Sequence, residues 1–235
     1  MTAQTRFLMK RLLYIILILL FPVVLYAGDE DLGYVVPDFE IIEQDVNNPS
    51  SHYYYPKLFK RFCDGDTTMT PVELERLYYG FSFQEDFEPY RDVKYNREKA
   101  TDLYTKENHT PEELDRIIQN AQRILSDYPF ELRQMKLLSY AYEKKGDVEK
   151  SYIWECKLRQ ILSVIISSGD GLSPETAWYV ISSIHPYDVI YCYGFTPSDY
   201  IFVEPMYDFI EVENAVADGY YFNVSRLIKE HYRKQ

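Results

Sequence analysis

The residues best suited to chemistry are one histidine and a set of carboxylates. His185 and Asp188 stand three positions apart beside Tyr187, a spacing that lets a carboxylate orient a general base. No nucleophile motif accompanies the pair, and Pro186 is typical of a first helical turn. We therefore interpret this stretch as a helix start and predict no catalytic residue in it.

Two further groups combine carboxylates with aromatic rings. Two carboxylates across a cleft suit glycoside hydrolysis, and aromatic rings would hold the sugar. The first group is Glu85, Asp86 and Glu88 with Phe87 and Tyr90, and the second is Glu204, Asp208, Glu211 and Glu213. Because an acidic chain brings carboxylates together often, we favour solvated surfaces for both groups.

Sequence motifs for enzymes, metals and nucleotides are missing. The chain contains no H-E-x-x-H, G-x-S-x-G, P-loop or C-x-x-C pattern. Asp64 to Glu75 faintly resembles a calcium loop, but Met69 stands where glycine is required and Pro71 interrupts the stretch. The sequence therefore predicts no catalytic, cofactor-binding or metal-ligating residue and no cofactor, and it leans away from an enzyme.

The first residues predict export. Ala27 follows an apolar run from Leu12 to Tyr26, and the basic residues before the run are Arg6, Lys10 and Arg11. This order is typical of a secretory signal cleaved after Ala27, with Met9 as a second possible start. The alternative is a membrane anchor, but the run is interrupted by Pro22 and is shorter than the roughly 20 residues of a spanning helix. We predict a periplasmic or extracellular protein without a stable membrane anchor after cleavage.

The composition limits the partners. Removing residues 1–27 takes away three basic residues and no acidic one, which moves the net charge from −12 to −15. Such a chain repels nucleic acid and anionic lipid and suits a basic partner, a divalent cation or simple solubility. The 24 tyrosines predict an aromatic core with hydroxyl groups at its edge, and they also suit platforms for a protein or glycan partner.

The three cysteines, Cys63, Cys156 and Cys192, are an odd number for an oxidising compartment. Their surroundings favour three buried, unpaired thiols over one disulfide with a free thiol.

Helix signals dominate the first two thirds of the chain. An acidic segment, 28–50, predicts a strand or arm. Thr70 and Thr110 each begin a T-P-x-E capping box, and helices are also predicted at about 131–145 and 148–167. A further helix is predicted within residues 53–62.

Strand signals follow after Gly169-Asp170-Gly171. The predicted strands are 177–184, 200–204, 208–213 and 220–224, with short helices at 185–193 and 225–232. Helices first and strands later predict an α+β fold with a small, mainly antiparallel sheet near the C-terminus. The predicted organisation is a signal peptide (1–27), an acidic leader (28–50), a helical subdomain (51–168) and an α/β subdomain (169–235).

Two resemblances accompany this pattern. Residues 137–151, with Gly146-Asp147 as the turn, resemble one tetratricopeptide-repeat unit, although Ser151 stands where that repeat usually has alanine. The whole mature chain resembles domain-of-unknown-function family 4919, found in exported bacterial proteins. The stretches that carry this resemblance are 53–58 with 64–67, 77–82 with Tyr90, 169–171 with 175–177, and 220–224. It implies a fold and an export route but no activity.

Together these observations favour a non-enzymatic binding or interaction module of the bacterial envelope. The alternative is a hydrolase that acts on envelope or extracellular glycan with carboxylates as acid and base.

Overall fold

The computed structural model describes residues 33–90, 106, 108–213 and 217–235. The predicted signal peptide, residues 1–27, and the start of the acidic leader lie outside these residues. Residues 34–235 form one packed unit. Among the described residues, no helix is both long enough and apolar enough to cross a bilayer.

The fold is α+β, as the sequence predicts. The helices are α1 (Phe39–Asn47), α2 (Tyr55–Cys63), α3 (Pro71–Gly80), α4 (Pro111–Asp127), α5 (Leu132–Lys144), α6 (Val148–Ser167), α7 (His185–Cys192) and α8 (Ser225–Arg233). The strands are β1 (Trp178–Tyr179), β2 (Thr196–Val203), β3 (Tyr207–Glu213) and β4 (Gly219–Asn223). Short 3₁₀ turns occupy Phe81–Phe83 and Pro174–Thr176.

The segment predicted as a strand or arm forms helix α1, so that prediction is wrong. The Asp38 carboxylate caps the helix, accepting hydrogen bonds from the N–H groups of Glu40 and Ile41 at 3.1 Å each. Ile42 and Val46, one turn apart, are buried against the rest of the unit. Two apolar residues at one helical spacing are too weak a local signal to reveal a helix that tertiary packing stabilises.

Helices α3 and α4 begin at the predicted capping boxes. The Thr70 hydroxyl accepts from the N–H of Glu73, and the Glu73 carboxylate accepts from the N–H of Thr70 at 2.8 Å. Thr110 and Glu113 repeat the arrangement at α4. Each box satisfies N–H groups that the first helical turn leaves unpaired, and so fixes where the helix begins.

Helices α5 and α6 form the predicted hairpin. Ser139 and Ser151 join them reciprocally, each hydroxyl donating to the other residue's carbonyl, at 3.1 Å from Ser139 and 2.9 Å from Ser151. Gly146 makes the turn at a φ of 79°, a conformation that favours glycine. The similarity of this hairpin to a tetratricopeptide repeat stays a prediction.

The strands form a mixed sheet in the order β1-β4-β3-β2. Strands β2, β3 and β4 pair antiparallel, and β1 pairs parallel with β4. Strand β1 is shorter than the predicted 177–184 because the chain turns into the core, where the N–H of Ile181 donates to the Tyr78 hydroxyl at 3.3 Å. Strand β2 is an edge of this sheet, and no strand of the described residues pairs with its outer side.

Helix α7 packs against strands β2 and β3 and covers one face of the sheet. Ile210 and Phe222 lie on that inner face and are fully buried, whereas Phe209 and Tyr221 lie on the opposite face and stay half-buried. The inner face joins the helices in one hydrophobic core.

The last helix, α8, is tied to the turn that follows α3. The Arg226 guanidinium donates to the Ser82 hydroxyl at 2.8 Å, to the Ser82 carbonyl at 2.6 Å and to the Glu230 carboxylate at 3.1 Å. It also lies 4.1 Å from the centre of the Phe83 ring. Burial of Arg226 and Glu230 makes this a buried ion pair with further hydrogen bonds.

Candidate functional site

His185 and Asp188 do not orient one another, so the hypothesis of a base and its partner is wrong. The Tyr78 hydroxyl lies 2.7 Å from Nδ1 of His185, and Nε2 lies 2.9 Å from the carbonyl oxygen of Phe130. Nε2–H donates to that carbonyl, and in the neutral ring Nδ1 accepts from the Tyr78 hydroxyl. Burial lowers the pKa of His185 to about 4, which suits a core histidine.

Asp188 serves the start of helix α5. Its Oδ2 accepts from the backbone N–H of Arg133 at 3.2 Å, and its Oδ1 lies 3.0 Å from Nη2 of the same residue. Burial raises the pKa of Asp188, while Arg133 acts in the opposite direction. The carboxylate is therefore a helix cap supplied by α7, in agreement with the interpretation of 185–193 as a structural helix.

A cavity of about 360 Å³ opens beside this cap and is lined by Arg133, Lys136, Asp188, Tyr191 and Cys192. The Arg133 guanidinium lies over the Tyr191 ring, 5.3 Å from its centre. Burial raises the pKa of the Cys192 thiol to about 11, so the thiol is a poor nucleophile at neutral pH. The residues that line this cavity include a structural ion pair and no activated nucleophile.

All three cysteines are free thiols. Cys63 is exposed at the end of α2, and Cys156 and Cys192 are half-buried, so the expectation that all three are buried is wrong. No group of three or more histidine, cysteine or acidic side chains that could hold a metal occurs within the described ranges.

The first acidic–aromatic group, residues 85–90, contacts the end of helix α8 through Lys234. Phe87 is buried and packs edge-on against Phe81, with ring centres 5.4 Å apart. The Lys234 ammonium donates to the carbonyl of Glu85 at 3.1 Å and also to the carbonyl of Phe87. This loop therefore has a packing role, and only Tyr90 at its end reaches the second group.

Among the carboxylates of the last strands, Asp208 differs from the rest. Side chains alternate along β3, so Asp208 shares the inner face with Ile210, while Glu211 and Glu213 lie on the opposite face. Asp208 is only 8% exposed, whereas Glu204 and Glu213 are exposed. The structure thus buries one of these four carboxylates.

One tyrosine contacts this carboxylate, and the charge of the carboxylate also acts on two further tyrosines from separate elements. The Tyr200 hydroxyl of β2 donates to Oδ1 of Asp208 at 3.0 Å. Burial and then the Asp208 charge raise the pKa of Tyr200 to about 12, and they raise the pKa of Tyr90 and Tyr187 in the same way. We call Asp208, Tyr90, Tyr187 and Tyr200 the Asp208 cluster.

The cluster contains no cation. Among the described residues, no lysine, arginine or histidine lies within ion-pair distance of Asp208, and Oδ2 accepts no hydrogen bond. Burial raises the pKa of Asp208, because the ionised carboxylate has lost water without gaining a positive partner. Buried carboxylates are normally paired, so the cluster departs from the usual pattern.

The cluster opens towards the free edge of the sheet. Tyr200, Ile201 and Phe202 of β2 are 46%, 44% and 45% exposed. The backbone N–H of Tyr200 donates to the Asp199 side chain at 2.8 Å, and because N–H groups alternate along a strand, the N–H of Phe202 faces the same way. An exposed apolar edge with unpaired backbone groups is a template for another strand.

A family model described as a domain of unknown function (DUF4919) matches residues 40–233. The chain belongs to this family. The match covers the helices, the sheet and the Asp208 cluster of this DUF4919 domain, and it confirms the resemblance seen in the sequence. No curated protein and no solved structure matches the chain.

Sequence reasoning named Asp208, Tyr90 and Tyr187 in three separate groups and did not single out Tyr200. One signal could have found the cluster: Asp208, Ile210 and Val212 alternate along a strand, so the pattern places a carboxylate on the apolar face.

Proposed function

We propose that the protein is an exported, non-enzymatic binding module of the bacterial envelope whose partner is an extended segment of another protein. The segment pairs with the free edge of β2 and adds a strand to the sheet. The exposed run Tyr200–Phe202 on that edge carries the proposal. Native sheets usually protect their edges with charges, prolines or covering loops, and among the described residues this run has only the Asp199 carboxylate on the N–H of Tyr200.

Strand addition fits what the edge offers. Backbone hydrogen bonds supply affinity in this mode, and alternate side chains supply specificity. Pro197 and Asp199 lie before the exposed run, Glu204 and Pro205 lie after it, and these residues confine pairing to the central part of β2.

Site-specific photo-crosslinking tests the proposal in the producing cell. A photoreactive phenylalanine analogue at Ile201 is expected to give a discrete product, and the same analogue at exposed Leu172 is not. Mass spectrometry of the product should locate the crosslink in an extended segment of the partner.

Two variants at Phe202 separate backbone pairing from side-chain contact. Phe202→Pro removes the edge N–H, whereas Phe202→Ala keeps it and removes only the ring. We expect the crosslink to disappear with proline and to persist, weakened, with alanine. A crosslink of equal yield in both variants would contradict strand addition.

The second candidate function is hydrolysis of envelope or extracellular glycan. One observation favours it: burial, and then the charges of Asp208 and Asp199, raise the pKa of Tyr187, so the charges of two carboxylates act on one aromatic residue. A carboxyl whose pKa is raised suits a general acid. We expect no turnover on polysaccharides or peptidoglycan fragments. Hydrolysis that Asp208→Asn abolishes would replace the binding proposal with this one.

A further inference from the structure

We propose that the Asp208 cluster receives a basic side chain, lysine or arginine, from the segment that pairs with β2. This inference rests on the proposed function and adds to it the chemistry of the partner. The ammonium or guanidinium group would lie against Oδ2 of Asp208, between the rings of Tyr90 and Tyr200.

Charge is the first argument. A carboxylate that is 8% exposed and has no cationic partner among the described residues loses solvation without compensation. Oδ2 keeps some access to solvent. In the described chain, the polar atoms that are fully enclosed and have no hydrogen bond are Tyr55 Oη, Gln134 Oε1 and Asp188 Oδ1. Oδ2 is therefore open to an incoming donor.

The nearby cations of α8 are engaged elsewhere. Arg233 donates to Glu230 at 3.0 and 2.9 Å, and Lys234 donates to backbone carbonyls of the 85–87 loop. The His231 ring packs edge-on against Tyr90, with ring centres 5.2 Å apart, and is not an ion-pair partner of Asp208. Within the described part of the chain, none of these cations neutralises Asp208.

Aromatic walls are the second argument. Tyr90 and Tyr200 are 47% and 46% exposed, so both present ring surface to solvent beside the carboxylate. The faces of aromatic rings attract cations, and a nearby carboxylate adds to the attraction. Phosphate and carboxylate ligands are excluded by the same charge.

Reach is the third argument. A strand added beside β2 lies two strand spacings from β3, about 10 Å between backbones. Phe202 is the cross-strand neighbour of Asp208, so the added residue opposite Phe202 shares its face. Only lysine and arginine are long enough to span this distance, and their aliphatic stems can pack along the Phe202 ring.

The charge of the whole edge agrees with a basic partner. Asp199 and Glu204 flank the exposed run, and the chain carries a net charge of −12. An acidic or neutral segment would gain nothing from these residues, whereas a basic one is attracted to them.

The first arm of the test uses n-butylammonium, a mimic of the lysine side chain, with n-butanol as its neutral counterpart. The purified protein carries ¹³C-labelled tyrosine rings, observed by NMR. We expect a saturable shift of the Tyr200 signals with the ammonium ion only. Asp208→Asn should remove the shift. Glu211→Gln, the same change of charge on the same strand but on the opposite face, should keep it.

The second arm uses two peptides of about nine alternating threonine and valine residues, with lysine or norleucine at the centre. We expect the lysine peptide to bind at least tenfold more tightly, because only the ammonium group can form a charged hydrogen bond with Asp208. Asp208→Asn should reduce its affinity to that of the norleucine peptide, and Glu211→Gln should not.

The outcomes separate this inference from the function it rests on. Absence of an Asp208-dependent shift, or equal binding of the two peptides, would overturn the basic-side-chain inference and leave strand addition standing. An Asp208-dependent shift with n-butylammonium, combined with no binding of either peptide to the edge, would support the cation site and contradict strand addition.

Discussion

The hydroxyl of Tyr78 and Nδ1 of His185 lie 2.7 Å apart, although 107 positions separate the two residues in the chain. Tyr78 belongs to α3 and His185 begins α7, so this hydrogen bond joins the helical part of the fold to the helix that covers the sheet. Both residues are buried, and each polar atom of the pair has a partner.

The buried ring predicts a pH dependence of stability. Its pKa is about 4 in the fold against 6.5 for an ordinary histidine, so between these values the unfolded chain binds a proton that the fold excludes. The free energy of unfolding should therefore fall as the pH drops through this window, by on the order of 3 kcal/mol.

His185→Gln isolates this contribution in denaturant titrations at several pH values. The variant should be less stable than the wild type at pH 7, and the gap should narrow towards pH 4. Exposed His52→Gln serves as the control and should leave the profile unchanged. A gap that stays constant with pH would show that His185 does not carry the effect.

The helical hairpin predicts a large difference between two aspartate substitutions. Leu138 is fully buried in α5, so Leu138→Asp places an unpaired charge in the core and should cost several kcal/mol. Ile118→Asp in α4 should behave similarly. Val148→Asp, at an exposed position in the first turn of α6, should change stability by less than about 0.5 kcal/mol. Thermal melts measure all three, and comparable losses at Leu138 and Val148 would contradict the packing.

Asp208 should oppose stability at neutral pH. A raised carboxyl pKa means that ionisation is harder in the fold than in the unfolded chain, so the cost exists above the folded pKa and is relieved as the pH falls through it. Asp208→Asn should therefore be at least as stable as the wild type at pH 7. Asp66 is the converse case, because Thr68 and then Arg61 lower its pKa to about 2, and Asp66→Asn should destabilise the protein. Denaturant titrations measure both variants. Changes in the unfolding midpoint that have the same sign in the two variants would contradict this assignment.

Two arginine–glutamate pairs, each within one helix, should contribute differently to the free energy of unfolding. Arg226→Ala leaves Glu230 buried with Arg233 as its remaining close partner, and it also removes two hydrogen bonds to Ser82. We expect a loss of about 3 kcal/mol. Arg159→Ala breaks a solvent-exposed pair with Glu155 and should cost less than about 0.5 kcal/mol. Chemical denaturation measures both, and equal losses would mean that the Arg226 network is solvated.

The predicted export signal has a direct test. The N-terminus of the protein recovered from the envelope fraction should be Gly28 or a residue within about three positions of it. Intact-mass spectrometry measures this, and retention of the Leu12–Tyr26 segment would favour a membrane anchor instead.

Local signals predicted most of the helices, and long-range contacts explain the rest. Thr70 and Thr110 predicted where α3 and α4 begin, because a capping box is complete within four residues. The sequence pattern did not predict helix α1, because only Ile42 and Val46 mark its buried side. The predicted strand 177–184 is longer than the observed one, because the chain turns at Ile181 towards Tyr78, a residue far earlier in the sequence.

The candidate site shows the same limit. The sequence identified Asp208 as one of several carboxylates, and the alternation of β3 could have set it apart. Its tyrosines come from β2, α7 and the loop after the 81–83 turn, so their convergence depends on the register Phe202↔Asp208 and on helix packing. No pattern within a window of a few residues contains that information.

The attachment of α8 to Ser82 has a consequence for how the protein is made. A polypeptide emerges from the ribosome, or from a translocation channel, with its N-terminus first, so Arg226 arrives only after helices α1–α7 and strands β1–β4. Until then, the 81–83 turn lacks the hydrogen bonds from Arg226 to Ser82 and has only its local contacts, such as the bond from the Ser82 hydroxyl to the Tyr79 carbonyl. The nascent chain therefore reaches its native packing late, and a partner that shields apolar surface during that interval would meet the chain before it has a finished sheet edge.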